Sequence, residues 1–340
     1  MAGIGVGVIG VGVFGENHCR TYTDDPGADL KAICDANEAR LNEIGDRFGV
    51  ADRYTDYRAL LARDDIQAVS IATPDFLHCE FAVAAARAGK HILLEKPMAT
   101  TEAECDTIRQ AVEQAGVRLF VDFHNRFNPP MVVVREALQS GELGALQMMY
   151  VRLSDGIWVP TGMLSWGAKS TVAWFLACHC VDLIQWLSGS KVTRVFSISR
   201  SRVLKSRGVD TPDFFQTTLE LSNDEVAVVE NCWILADSMP SVAHFLLEAV
   251  GEKGHMEVNA LQNSLIRKYL PDGATAPDIM CAPTIHGRPT GFAIESIRHF
   301  IRILEGAEPI LPGPAEATHV TRVVAAIHTS AEQGGVVVEV

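Results

Sequence analysis

"GVIGVGVFGENH", Gly7 to His18, decides the fold. Gly10, Gly12 and Gly15 have the spacing G-x-G-x-x-G. The pattern alone is common by chance, but here it follows a run of β-branched residues, Ile4 to Ile9, and opens a helical segment from about Glu16 to Thr23. A glycine turn between strand and helix lets backbone N–H groups and the helix N-terminus face a pyrophosphate with no Cβ in the way. Val13 and Phe14, inside the motif, belong to the same cofactor loop. Twenty residues beyond Gly15, at the end of the next strand-like run Leu30 to Cys34, stands Asp35. A carboxylate there can accept hydrogen bonds from an adenosine ribose diol and would repel a 2'-phosphate. No arginine follows it immediately, so the expected cofactor is NAD rather than NADP. The same carboxylate could instead cap a helix beginning near Asn37.

Strand and helix keep alternating beyond this loop. Further strands are expected at Ala68 to Ala72, His91 to Leu94 and Leu119 to Phe123, and helices at Glu38 to Phe48, His78 to Ala88 and Thr101 to Ala115. That order predicts a doubly wound parallel sheet. After Asn128 the texture changes. A helix at Met131 to Ser140 is followed by strands at Leu146 to Ser154, Val192 to Ser199, Phe214 to Leu221, Val226 to Trp233 and Ala243 to Val250. Strands that succeed one another without helices read as a mostly antiparallel sheet. The expected fold is therefore α/β plus α+β: a dinucleotide-binding domain over 1–121 and a substrate-binding and oligomerisation domain over 122–340. With no Gly/Ser linker between them, the domains are expected to share a cleft. A C-terminal helix sets Ile297, Phe300, Ile301 and Leu304 on one face, and a last strand is expected at Val336 to Val340. Two loops, Asp155 to Ser170 with its two tryptophans and the Pro/Gly-rich Pro271 to Gly291, fit either substrate lids or covered edges and subunit contacts.

Composition excludes several classes. The 340 residues are 48% hydrophobic and 21% charged, ordinary globular material with room for two cores. Forty-two acidic against 29 basic side chains give a formal charge of −13, with no Lys/Arg block to neutralise a phosphate backbone, so nucleic acid is not an expected partner. The N-terminal apolar stretch lacks a preceding Lys or Arg and is nearly half glycine, which suits neither a signal peptide nor a membrane span, and a cytoplasmic location follows. Eight cysteines include no C-x-x-C, and "CHC" at Cys178 to Cys180 is too closely spaced for a usual zinc site. Reduced thiols and no metal are expected.

The chemistry gathers at strand ends. In an open parallel sheet ligands lie beyond the carboxyl ends of the strands. "LLEKPMAT", Leu93 to Thr100, places Glu95 and Lys96 directly after one strand, and "IATPDFLH" brings Thr73, Pro74 and His78 to the same rim. Pro97 forces Lys96 out of helical geometry and tolerates a cis bond, so the lysine can be held in a defined turn. In "WFLACHCVDLIQWL", His179 and Asp182 are i and i+3 on an apolar helix, a polar pair that asks for a ligand or a partner.

Together the glycine motif, Thr73-Pro74, Glu95-Lys96-Pro97 and a histidine with an aspartate three residues on resemble the glucose-fructose oxidoreductase, inositol dehydrogenase and rhizopine catabolism (Gfo/Idh/MocA) family over essentially the whole chain. The resemblance implies a Rossmann domain followed by a large, mostly antiparallel open sheet whose face commonly forms subunit contacts, hence a homodimer or homotetramer. It implies an NAD-dependent oxidoreductase acting on a secondary alcohol or carbonyl of a sugar or cyclic polyol. In that reading Lys96 lies near the reacting oxygen, Glu95 near the nicotinamide ribose, and His179 takes the proton. Asn125, Arg126, Asp182 and Trp166 are then candidate substrate contacts, although Arg126 could equally be a structural tie. One departure matters: many members carry an Asp four residues before the histidine, where this chain has Phe175. Without that charge His179 should titrate near or below the usual value of about 6.5 unless Asp182 compensates. Rival readings are an aldose or ketose reductase working in the opposite direction and a catalytically silent dinucleotide sensor, against which the retained lysine and histidine argue.

Overall fold

The computed structural model describes residues 3–259, 266–271 and 273–340. Its first part alternates β1 (Ile4–Ile9), α1 (Val13–Asp24), β2 (Ala28–Cys34), α2 (Glu38–Phe48), β3 (Asp52–Tyr54), α3 (Tyr57–Leu61), β4 (Ala68–Ile71), α4 (His78–Arg87), β5 (His91–Glu95), α5 (Glu102–Ala115) and β6 (Leu119–Asp122). The strands form one parallel sheet in the order β3-β2-β1-β4-β5-β6. Its central strands are buried on both faces, with Val8, Val69, Ile71, Leu93, Leu94 and Val121 wholly inaccessible, as a sheet covered by helices on either side requires. The strand order reverses at β1 and β4, so the ligand crevice of such a sheet opens beyond their carboxyl ends. Local chemistry sets the helix limits. Thr101 accepts from the Glu104 N–H and the Glu104 carboxylate in turn accepts from the Thr101 hydroxyl; α5 then stops at Gly116, φ 64°.

The second part contains α6 (Pro129–Gln139), β7 (Leu146–Asp155), α7 (Cys178–Ser188), β8 (Val192–Arg200), α8 (Val203–Ser206), β9 (Phe214–Leu221), β10 (Val226–Cys232), β11 (Ala243–Gly251) and β12 (His255–Asn259). Two small hairpins follow, β13 (Lys268–Leu270) with β14 (Gly273–Thr275) and β15 (Thr284–Ile285) with β16 (Arg288–Pro289); the chain ends with α9 (Phe292–Leu304), α10 (Pro314–Glu332) and β17 (Val338–Glu339). The large sheet runs β12-β11-β7-β10-β9-β8-β17, antiparallel throughout except for the pair β7–β10. One face is buried through Met149, Val151, Leu153, Ala227, Val229 and Leu219, with α7 packed on β7.

By packing, the chain forms two compact units, Met1–His124 with Ala282–Thr321, and Asn125–Cys281 with Arg322–Val340. The division expected after residue 121 marks the change of sheet type, but the late segment Ala282–Thr321 returns to the first unit. The reason is α9, whose apolar face packs against α1, β5 and β6 and buries Ile297, Phe300 and Ile301. The two expected loops are largely folded turns. Val159–Met163 and Gly167–Lys169 form helical turns. In Pro271 to Gly291, residue 272 lies outside the described residues, while Arg20 of α1 donates to the Ala282 carbonyl at 2.8 Å and Arg298 of α9 to the Pro289 carbonyl at 3.1 Å.

Candidate active site

Each glycine of the N-terminal loop has its own reason. Gly10 has φ 86°, and a Cβ there would lie 2.6 Å from the Ala72 carbonyl oxygen. A Cβ on Gly15 would lie 1.9 Å from the Gly10 carbonyl oxygen, so this residue permits the close packing of α1 on the loop. At Gly12 a Cβ would meet nothing within 4 Å. Gly12 is also the cap residue of α1 and offers no side chain to its N–H groups, which leaves an open, positively polarised helix terminus suited to a pyrophosphate. Asp35 is pinned beside it: one carboxylate oxygen accepts from the Val11 N–H and the other from the Asn37 N–H, both at 2.8 Å. The capping role belongs to Asn37, whose side chain accepts from the Arg40 N–H. Arg40 donates to the Val11 carbonyl at 2.9 Å, and its guanidinium is held by Glu16 at 2.6 Å and Glu43 at 2.9 Å. Phe14 stacks on His124, ring centroids 5.4 Å apart, so this member of the loop packs inside the unit, while Val13 is 60% exposed.

Glu95 and Lys96 stand at the carboxyl end of β5, as the sheet geometry requires, with the Lys96–Pro97 bond cis. Lys96 is half-buried and its N–H donates to Glu95 Oε2 at 3.3 Å. His78 differs from the expected cofactor contact. It is buried, with Nδ1 2.6 Å from the Pro97 carbonyl oxygen and Nε2 3.0 Å from that of Thr73. It therefore ties the Thr73-Pro74 and Glu95-Lys96-Pro97 turns together, and its burial pushes the imidazole below its usual range against the pull of the Pro97 carbonyl. Thr73 Oγ1 is buried without a partner within the protein, an orphaned polar atom on the rim where a dinucleotide would lie. The open Gly12 terminus, the pinned Asp35 and this hydroxyl fit NAD.

Beneath the lysine turn lies a polar network whose members, Glu95 apart, the motif reading did not name. The Glu95 carboxylate is 3.2 Å from His18 Nε2; His18 Nδ1 is 3.0 Å from Ser70 Oγ, which is 2.5 Å from the Tyr22 hydroxyl. Asp122, next to Glu95 in the β5–β6 register, accepts a hydrogen bond from Ser296 of α9. His18 stands three residues after the last motif glycine, and Asp122 repeats the pattern that exposed Glu95, an acid closing an apolar strand. Those signals could have found them.

In the second unit, a five-residue turn of wide helix, Ala173–Ala177, leads into α7. His179 lies in the first turn of α7, buried, with Nδ1 3.1 Å from Asn125 Nδ2. Asn125 is thus brought to the histidine ring, where its amide fixes which nitrogen carries the hydrogen. Arg126 and Asp182 are both buried and form a forked ion pair, with contacts of 2.6 and 2.9 Å. Of the two readings open for Arg126, this geometry is that of the tie; breaking such a buried pair costs about 3–5 kcal/mol. Trp166 meets Phe175 edge-on at 6.0 Å, and Phe175 leans on the wholly buried Trp233 at 5.6 Å. The position of the absent aspartate is thus part of an aromatic block. Cys178 and Cys180 are buried in α7, and burial pushes the Cys180 thiol up to about 12, a protonated, inert form.

Residues 4–123 match the model of an oxidoreductase family with an NAD-binding Rossmann fold, and residues 131–257 match that of the GFO/IDH/MocA C-terminal domain. The chain is 33% identical over 227 residues to levoglucosan dehydrogenase of Pseudarthrobacter phenanthrenivorans, a match covering 62% of this chain and 58% of that enzyme. It is 30% identical over 265 residues to inositol 2-dehydrogenase of Acidothermus cellulolyticus, covering 77% and 74%. The scyllo-inositol dehydrogenase of Lactobacillus casei, solved with NAD(H) and scyllo-inositol, has the same fold, TM-score 0.83 over 99% of each chain at 18% identity.

Proposed function

This chain belongs to the Gfo/Idh/MocA family of oxidoreductases, and we propose that it is an NAD-dependent dehydrogenase of a sugar, cyclic polyol or sugar derivative. The observation that carries the reading is the open N-terminus of α1 with Asp35 pinned beside it, in the same unit as a lysine held at the carboxyl end of β5. The relatives that act on inositol and levoglucosan support the substrate class. Bound nicotinamide supplies the hydride acceptor. Lys96 donates a hydrogen bond to the reacting oxygen and stabilises its developing negative charge. His179 takes the proton of the substrate hydroxyl as general base when Asn125 presents its amide oxygen to Nδ1–H, which leaves Nε2 its lone pair. His78 positions the turn that carries Lys96. Growth of absorbance at the NADH band when purified protein meets NAD and a panel of polyols and sugars supports the reading. No growth, and no consumption of NADH with the corresponding carbonyl compounds, would overturn it.

Asp35 gives the first expected result. Its carboxylate oxygens each accept one N–H and keep a lone pair for a ribose hydroxyl, while Arg40, the nearby cation, is already matched by Glu16 and Glu43. NAD should bind at least tenfold tighter than NADP, about 1.4 kcal/mol, and Asp35→Ser should narrow the ratio. Equal affinities in fluorescence titrations of the native protein would refute this.

Assembly follows from the outer face of the large sheet. Met148, Val226 and Phe196 are 48%, 37% and 38% exposed there, among the polar residues Thr218 and Glu230. Met148 and Val226 stand opposite each other on paired strands, and we assign this partly apolar face to a homodimer or homotetramer contact. Light scattering that returns the 36.9 kDa monomer mass at micromolar concentration contradicts the assignment. A cytoplasmic location suits the eight free cysteines, and no helix among the described residues is long and apolar enough to cross a membrane.

A further inference from the structure

We propose that Glu95 and Asp122 hold a single proton between them, resident on Asp122, and that Asp122 is thereby a positioning residue that keeps one negative charge, not two, beneath Lys96. The geometry sets the problem. A carboxylate oxygen of Glu95, one of Asp122 and a ring nitrogen of His18 lie within 4.8 Å of one another, and the three residues are 5%, 1% and 0% exposed. Two ionised carboxylates so close in a dry interior repel strongly, so one keeps its proton.

Hydrogen bonding decides which. Glu95 accepts from His18 on one oxygen and from the Lys96 N–H on the other, both of which favour its charged form. Asp122 has the Ser296 hydroxyl. Nor does His18 need the extra proton: the Tyr22 hydroxyl can donate to Ser70, Ser70 to His18 Nδ1, and His18 Nε2–H to Glu95, which satisfies every member with a neutral ring. The groups facing the pair are His18 and Tyr22 from α1, Lys96 after β5, His124 after β6 and Ser296 from α9. Their effects agree. Burial, then the Glu95 charge, holds Asp122 well above the usual carboxylate range. For Glu95, burial acts upward but is outweighed by the His18 hydrogen bond together with the nearby Lys96 ammonium, leaving it below that range. Burial pushes His124 down to about 4, so it is neutral and adds no charge.

Infrared spectroscopy on the whole protein tests this. At neutral pH a protonated-carboxyl C=O band should be present, should move on labelling aspartate but not glutamate with carbon-13, and should vanish in Asp122→Asn. Absence of the band, its movement with glutamate labelling, or its survival in the variant would each overturn the proposal. The label experiment needs no variant, so it stands even if Asp122→Asn folds poorly. Stability gives a second readout. A carboxyl whose folded value is raised binds more protons folded than unfolded above about pH 3.9, so stability falls as pH rises from there until Asp122 ionises. Asp122→Asn should lack that decline, and a thermal-melt pH profile identical to the native one would count against the assignment. Asp122→Leu, which cannot accept from Ser296, should lose roughly tenfold in kcat, the scale of one orphaned buried donor, and the asparagine should recover most of it. Failure of the asparagine to do better than the leucine would overturn the neutral-carboxyl role.

Discussion

Lys96→Met should lower kcat by roughly a hundredfold or more while NAD affinity stays nearly unchanged. Methionine keeps the length of the aliphatic stem and removes the ammonium, so the change deletes a donor without opening a large cavity. The turn itself does not depend on that ammonium: its backbone is held by the Lys96 N–H to Glu95, by the Pro97 carbonyl to His78 and by the strand register of β5. A donor aimed at charge that develops only in the transition state acts on kcat, whereas losing a residue that merely binds substrate raises KM. Single-turnover measurements with saturating NAD separate the two. Turnover near the native rate would remove the lysine from the mechanism, and a loss confined to KM would reduce it to a substrate contact.

How much of this was legible in the sequence depends on the range of the interaction. The glycine loop, the alternation of strands and helices, and the acid–lysine–proline turn are local patterns: period, composition and spacing carry them, and β1, α2 and β9 fall where expected to the residue. The edge strand β3, with Asp52, Arg53 and Tyr54, has no apolar run, and α3 is too short to show a helical period, so both escaped. The site partners are long-range facts. Asn125 meets His179 across 54 residues and Arg126 meets Asp182 across 56, which turns two expected substrate contacts into each other's partners. His18, Glu95 and Asp122 converge because β5 and β6 pair with Glu95 opposite Asp122 while α1 packs over the strands, and only the assembled sheet contains that information. The return of α9 to the first unit is of the same kind. Its apolar stripe was visible, but its partner was not.

His179→Gln should cost about a hundred to ten-thousandfold in kcat, the usual worth of a positioned general base. Glutamine fills much of the imidazole's space and can still meet Asn125, so folding should survive while proton acceptance is lost. The base form has a strict requirement. For Nε2 to keep its lone pair, Nδ1 must carry the hydrogen, and the Asn125 amide meets it by presenting its oxygen; with Nδ2 turned toward Nδ1, as found, the hydrogen sits on Nε2 and the ring donates instead. A half-turn of one amide therefore separates donor from base. A carboxylate that would stabilise an imidazolium is absent at Phe175, and the charge of Asp182 is matched by Arg126. Neutral imidazole is the active form for oxidation, so native kcat/KM should fall as pH falls, along an acid limb that His179→Gln lacks. An ordinary lysine, titrating near 10.4, gives no such limb. Asn125→Asp should shift the limb to higher pH, because a carboxylate against Nδ1–H stabilises the protonated ring, and a purely structural role for Asn125 would leave the limb where it was. If the glutamine variant keeps the native limb, the proton goes elsewhere, and Asp182 is the next group to replace.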